Sequence, residues 1–177
     1  SGGDPVQMGL VSSFHQPAGN VTGFYFLLTG LVAKRLALLH ELLPGGKRVA
    51  VLVNPTNMAT AEPTKRDTAV ASRALGLDIQ VFNASTSGEI DAAFAAFSGW
   101  RPEALFVGPD PLFITESARL VALAASHALP VSYFQSGHVE AGGLMSYGPD
   151  FADVYHQAGV YVGRVLKGAR PVDLPVQ

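Results

Sequence analysis

Cysteine is absent from the 177 residues, which excludes disulfide scaffolds, thiolate catalysis, zinc knuckles and iron–sulfur clusters. It is also compatible with an oxidising compartment. Charge is sparse: Lys and Arg total 12, Asp and Glu 14, and the net charge is −2. A nucleic-acid binder working through bulk charge is therefore excluded, and 48% hydrophobic residues exclude intrinsic disorder. No apolar run approaches the ~18 residues of a membrane-spanning helix, and no basic-then-apolar leader opens the chain. The opening Ser1-Gly2-Gly3-Asp4-Pro5 reads as a strand end running into a helix start, so the chain is expected to begin inside a longer protein.

Catalytic and cofactor signatures are missing as well. The first strand-to-helix corner, Asn54-Pro55-Thr56-Asn57, has none of the glycines that let a dinucleotide pyrophosphate approach bare backbone. There is no phosphate-binding G-x-x-x-x-G-K-[ST] and no H-E-x-x-H. Ser136 lacks the first glycine of a G-x-S-x-G nucleophile elbow. Of the histidines, His40 and His127 read as partly exposed imidazoles near helix C-termini. His138-Val139-Glu140 reads as a solvated loop, since no partner ligands stand at metal-site spacing. No catalytic residue, metal or cofactor is assigned.

What is present is a repeated scheme of apolar run, polar or proline corner, and helical pattern. The runs are 48–53, 78–82, 104–107 and 129–134, with a further strand at 143–147. Helices are predicted over 31–43, 60–75 (opened by Thr60, with Pro63 confined to its first turn), 87–97, 115–128 and 151–166. Continuous apolar strands alternating with helices predict an α/β class, a Rossmann-like parallel sheet flanked by helices.

Ligands of parallel sheets sit beyond the C-terminal ends of the strands. Asn54, Thr56, Asn57, Ser85, Thr86, Asp110, Gln135 and Ser136 all fall on that edge in this reading. Helix N-termini point there too and favour an anionic group; Asp110 offers the opposite charge, and Phe113, Tyr133 and Phe134 offer an apolar or stacking wall. Amides and hydroxyls without paired carboxylates, His or Lys suit binding of a small polar molecule better than catalysis.

Five ordered strings carry a resemblance over essentially the whole chain: 1–6 (SGGDPV), 17–24 (PAGNVTGF), 51–57 (VLVNPTN), 107–111 (VGPDP) and 141–148 (AGGLMSYG). They resemble substrate-binding proteins of ABC importers with a type I periplasmic-binding-protein fold, two Rossmann-like lobes joined by three crossings. The resemblance implies that 1–20 is a remnant of the first lobe, 21–28 a hinge crossing and 29–142 the second lobe. Residues 143–177 become the return crossing and a helix that packs on the first lobe. It implies an extracytoplasmic, non-enzymatic receptor that delivers a small solute to a membrane permease, aromatic amino acids being among the ligands of similar proteins. The positions matching the family's pocket corners are Gly3, Asp4, Asn54, Thr56, Asn57, Asp110, Gln135 and Ser136.

Against the family pattern the signal sequence and about half a lobe are missing upstream. The stripe Val154, Ala158, Tyr161, Val162 and Val165 is then left uncovered, and the chain is expected to pair with a second copy. The alternative is a sensory or effector lobe of a signalling protein or transcription regulator of the same fold. A phosphate-accepting receiver needs an acidic cluster at the strand ends, where only Asp110 stands.

Overall fold

The computed structural model describes residues 4–26 and 28–177; Gly3, one of the expected pocket residues, lies outside them. Two compact units emerge, Leu28–Gly148 and Ser1–Leu27 with Pro149–Gln177. The larger is built on five parallel strands: β1 (Arg48–Val53), β2 (Asp78–Asn83), β3 (Ala104–Val107), β4 (Val131–Tyr133) and β5 (Met145–Ser146), in the spatial order β2-β1-β3-β4-β5. The parallel α/β sheet read from the apolar runs is thus present. Its order reverses between β1 and β3, where the crevice of an open α/β sheet opens.

Both faces of the central strands are buried. On one, Val49, Val51, Val53 and Phe106 pack with Val32, Leu36 and Leu39 of α1 (Val32–Glu41) and Ala61 and Ala71 of α2 (Met58–Leu75). The alternate residues Ala50, Leu52, Leu105 and Val107 are equally buried on the other face. Phe82, in register with Leu52, meets Phe97 of α3 (Ser87–Trp100) edge-on at 4.9 Å there.

Several local expectations are corrected. Helix α2 starts after Asn57, not at Thr60, which is buried in its first turn. Pro63 therefore falls in the second turn, and the carbonyl it leaves without a donor belongs to exposed Ala59. The helix expected over 115–128 is two, α4 (Pro111–Thr115) and α5 (Ser117–Ser126), broken at Glu116. The stretch read as a solvated loop is the short helix α6 (Gly137–Glu140), with His138 completely buried.

The glycines of 141–148 explain its composition. A Cβ on Gly143 would stand 2.7 Å from both the His138 carbonyl and the Tyr133 ring, and one on Gly148 would overlap the Phe134 carbonyl. Only glycine lets the chain on either side of β5 lie so close to Tyr133, Phe134 and His138.

The smaller unit centres on α7 (Phe151–Leu166), capped by the Asp150 carboxylate, which accepts from Ala152 N and Asp153 N. Tyr161 is its buried anchor, edge-on to Phe24 at 5.0 Å and donating to the Pro175 carbonyl at 3.0 Å. Among the described residues no helix is long and apolar enough to cross a membrane.

Candidate functional site

The corners after β1 and β3 are joined by side chains. Asn54 Nδ2 donates to Asp110 Oδ1 at 3.0 Å and Asn57 Nδ2 to Asp110 Oδ2 at 2.8 Å. Leu112 N donates to Asp110 Oδ1 at 2.9 Å, so the same carboxylate caps α4. Asn54 Oδ1 in turn accepts from Thr56 N at 3.1 Å and Thr56 Oγ1 at 2.7 Å, an Asx turn that shapes the corner. Four residues picked from the sequence, Asn54, Thr56, Asn57 and Asp110, are brought together where the sheet order reverses.

The network has a consequence for chemistry. Asp110, only 4% exposed, already has both oxygens occupied. It is the scaffold of this edge, and the more exposed Thr56, Asn54 and Asn57 form its outer surface. The helix N-termini differ likewise. Thr86 caps α3 by accepting from Glu89 N, and the Glu89 carboxylate returns to Ser85 N and Ser85 Oγ. Those hydrogen bonds pull the Glu89 pKa below the usual carboxylate range. Helix α2 has no side-chain cap: Asn57, at its N-cap, donates its Nδ2 to Asp110, and its Oδ1 accepts from none of the first helical amides. Of these three helices, α2 alone leaves its first amides open to an anion.

Gln135 and Ser136 lie at the neighbouring corner, after β4. Ser136 is exposed, and Gln135 Oε1 is buried without a partner among the described residues. Asp4 belongs to the smaller unit, where its carboxylate accepts from Val6 N at 2.8 Å and Gln7 N at 3.3 Å. Phe113, Tyr133 and Phe134, expected as a wall facing the edge, are instead packed inside the larger unit.

Two buried cationic or titratable residues behind this edge had been missed. Arg35 of α1 is 0% exposed; its Nη2 donates to the carbonyls of Val107 and Ser132, both at 2.7 Å, and its guanidinium lies 4.1 Å over the Phe106 ring. Its Nε and Nη1 have no partner among the described residues. Burial draws its pKa down to about 9, which still leaves it charged at neutral pH. His138 stacks on Tyr133 at 4.5 Å with its Nε2 at 2.9 Å from the Phe113 carbonyl and its Nδ1 at 3.3 Å from that of Gln135. A neutral imidazole has one N–H, and the shorter contact assigns it to Nε2. The Tyr133 hydroxyl has no partner among the described residues, and burial pushes its pKa up to about 12. The sequence signal for Arg35 was a charge on the apolar stripe of α1; for His138 it was the Gly142-Gly143 pair that begins four residues later.

In the smaller unit, the apolar face of α7 borders a groove of about 600 Å³ lined by Val154, Ala158, Tyr161, Val162 and Val165 with the segment 20–26. These five are the stripe read from the sequence.

The family model described as ABC transporter substrate binding protein matches residues 1–177. Among curated proteins, the tyrosine-binding protein of Clostridioides difficile (strain R20291) is 29% identical over 175 residues, covering 98% of this chain and 49% of that protein. The ABC domain from Streptococcus pneumoniae, solved in complex with L-Trp, superposes with a TM-score of 0.81 at 26% identity, over 99% of this chain and 59% of that chain. A conserved domain protein from Vibrio cholerae O1 biovar El Tor gives 0.85 at 27% identity, over 98% of this chain. The chain spans about half the length of the curated relative it matches.

Proposed function

The chain belongs to the family of ABC transporter substrate-binding proteins, and on that premise we propose that it serves as part of the extracytoplasmic solute receptor of an ABC importer. The solute is an amino acid, aromatic in side chain, held in a cleft between two lobes of which residues 29–142 form the second. Residues 21–28 and 143–147 are the crossings in this reading. The partner that receives the solute is a membrane permease.

One observation carries the assignment of the edge: Asn54, Asn57 and Asp110 are hydrogen-bonded together at the point where the sheet order reverses, beside the uncapped start of α2. An α-carboxylate suits those open amides with Thr56 and Asn54 alongside. Gln135 Oε1, an acceptor without a donor among the described residues, suits the ammonium. Gly3, Asp4 and Ser136 complete the proposed set. The aromatic side chain is proposed from the relatives, one named for tyrosine and another solved with L-Trp. Nothing at the edge supplies an acid–base pair, which favours a receptor over an enzyme.

Calorimetry of the complete gene product with L-tyrosine, L-tryptophan, L-leucine and glucose tests this. Binding of either aromatic amino acid, weakened tenfold or more in Asn54→Ala and Thr56→Ala, is the expected result. Retained affinity in both variants refutes the site, and heat only with L-leucine or glucose refutes the solute class.

For the 177-residue chain, the apolar face of α7 supports pairing with a second copy, since Val162 and Leu166 stand more than half exposed beside the groove. Sedimentation equilibrium is expected to give a dimer that Val162→Asp dissociates; a monomer at all concentrations overturns the pairing.

A further inference from the structure

Arg35 and His138 bind the same two stretches of chain from opposite faces of the sheet. On one face, Arg35 Nη2 takes a carbonyl from the last residue of β3, Val107, and one from β4, Ser132. These bonds stand where the β3–β4 register, Leu105↔Val131 and Phe106↔Ser132, comes to its end. On the other face, His138 lies flat on Tyr133, the neighbour of Ser132 whose side chain points the opposite way. His138, three residues beyond Gln135, reaches the carbonyl of Phe113, three residues beyond Asp110. The corner that carries Asp110 is therefore held at both its ends, Val107 and Phe113, to the corner that carries Gln135 and Ser136.

Neither residue is what a core needs for stability alone. An apolar side chain in the place of Arg35 would bury no charge, whereas the guanidinium is desolvated, and among the described residues two of its nitrogens have no partner and no carboxylate pairs with it. What arginine adds is one NH2 group whose two hydrogens fix two carbonyls of neighbouring strands. Phenylalanine would equally fill the space over Tyr133; what histidine adds is the donor to Phe113.

We propose that Arg35 and His138 are positioning residues that lock the 107–113 corner to the 132–138 corner, setting the spacing between the Asp110 network and the Gln135–Ser136 pair across which the solute is read. The proposal rests on the reading of this edge as the solute site. Its physical content is preorganisation: corners held in their bound spacing lose less freedom when a ligand bridges them.

The test compares Arg35→Met and His138→Phe, which keep bulk but drop the donors, with Arg35→Lys and His138→Gln, which keep a donor. Each is made in the complete gene product. L-tyrosine and L-tryptophan are the probes in calorimetry, and amide hydrogen exchange of 107–113 and 132–138 is followed without ligand, beside the thermal midpoint. Arg35→Met and His138→Phe are expected to lower affinity tenfold or more and to speed exchange tenfold at both corners. Arg35→Lys and His138→Gln are expected to stay within threefold of wild type. Wild-type affinity and exchange in the donorless variants overturn the proposal. So does an equal loss in donor-keeping and donorless variants, because that is the signature of packing alone. A wild type that binds neither amino acid sinks the proposed solute class, and the lock is then decided by exchange: unchanged corners overturn it, loosened corners uphold it. If Arg35→Met does not fold, His138→Phe decides.

Discussion

Asn54 and Asp110, 56 residues apart in sequence, are joined by a 3.0 Å hydrogen bond across the gap between the ends of β1 and β3. The bond gives Asp110 two tasks, holding that gap and capping α4. Asp110→Ala removes three hydrogen bonds from a buried position and is expected to cost about 2 kcal/mol in urea unfolding. Thr56→Ala, at an exposed position of the same network, is expected to stay within about 0.5 kcal/mol. A network of no structural weight would leave the two variants equal.

Gly148→Ala and Gly159→Ala are expected to move stability in opposite directions. The new methyl at 148 would overlap the Phe134 carbonyl, and backbone there cannot yield cheaply, so a loss of about 3 kcal/mol is expected. At 159, exposed on α7 with nothing within 4 Å, alanine improves helix propensity by about 0.8 kcal/mol. Thermal unfolding of both variants checks the sign.

Ala128 ends α5 with φ of +51°, a left-handed conformation that costs an L-residue about 1 kcal/mol and glycine almost nothing. Ala128→Gly is therefore expected to raise the unfolding midpoint, although glycine substitutions ordinarily lower it. A lower midpoint would show that chain entropy outweighs the relieved strain.

His138 adds a pH dependence of known sign. Burial is the main cause that holds its pKa below 6.5; bonds to the Phe113 and Gln135 carbonyls oppose it, and the Arg35 charge reinforces it. The unfolded chain thus takes up this proton before the folded one does. Stability is lost as pH falls below about 6.5, and the loss levels off beneath the folded pKa. The difference in unfolding free energy between wild type and His138→Gln should shrink as pH drops through this range. A difference independent of pH would mean that His138 titrates alike in both states.

How much of this was legible beforehand depends on the range of the physics involved. The runs 48–53 and 104–107 declared themselves because strands buried on both faces are apolar almost throughout, a property of neighbouring residues; 78–82, the edge strand with no fully buried residue, was legible from Ile79, Val81 and Phe82. The corners Asn54-Pro55-Thr56-Asn57 and Gly108-Pro109-Asp110-Pro111 were legible for the same reason, since turn chemistry is local. That Asn54 and Asp110 share an edge followed from the parallel sheet; that they hydrogen-bond, and so spend the carboxylate on each other, did not.

The sequence by itself determined the α/β class, the strand bodies and the polar edge, because periodicity and turn preference act over a few residues. Only the tertiary structure decided the fate of Arg35 and His138. Arg35 is held by carbonyls 72 and 97 residues away, and His138 by one 25 residues away. A cation on a helix stripe or a histidine in a short polar stretch is ordinarily solvated. Whether it is buried instead turns on backbone groups from distant strands converging to accept its hydrogens, and no local pattern encodes that.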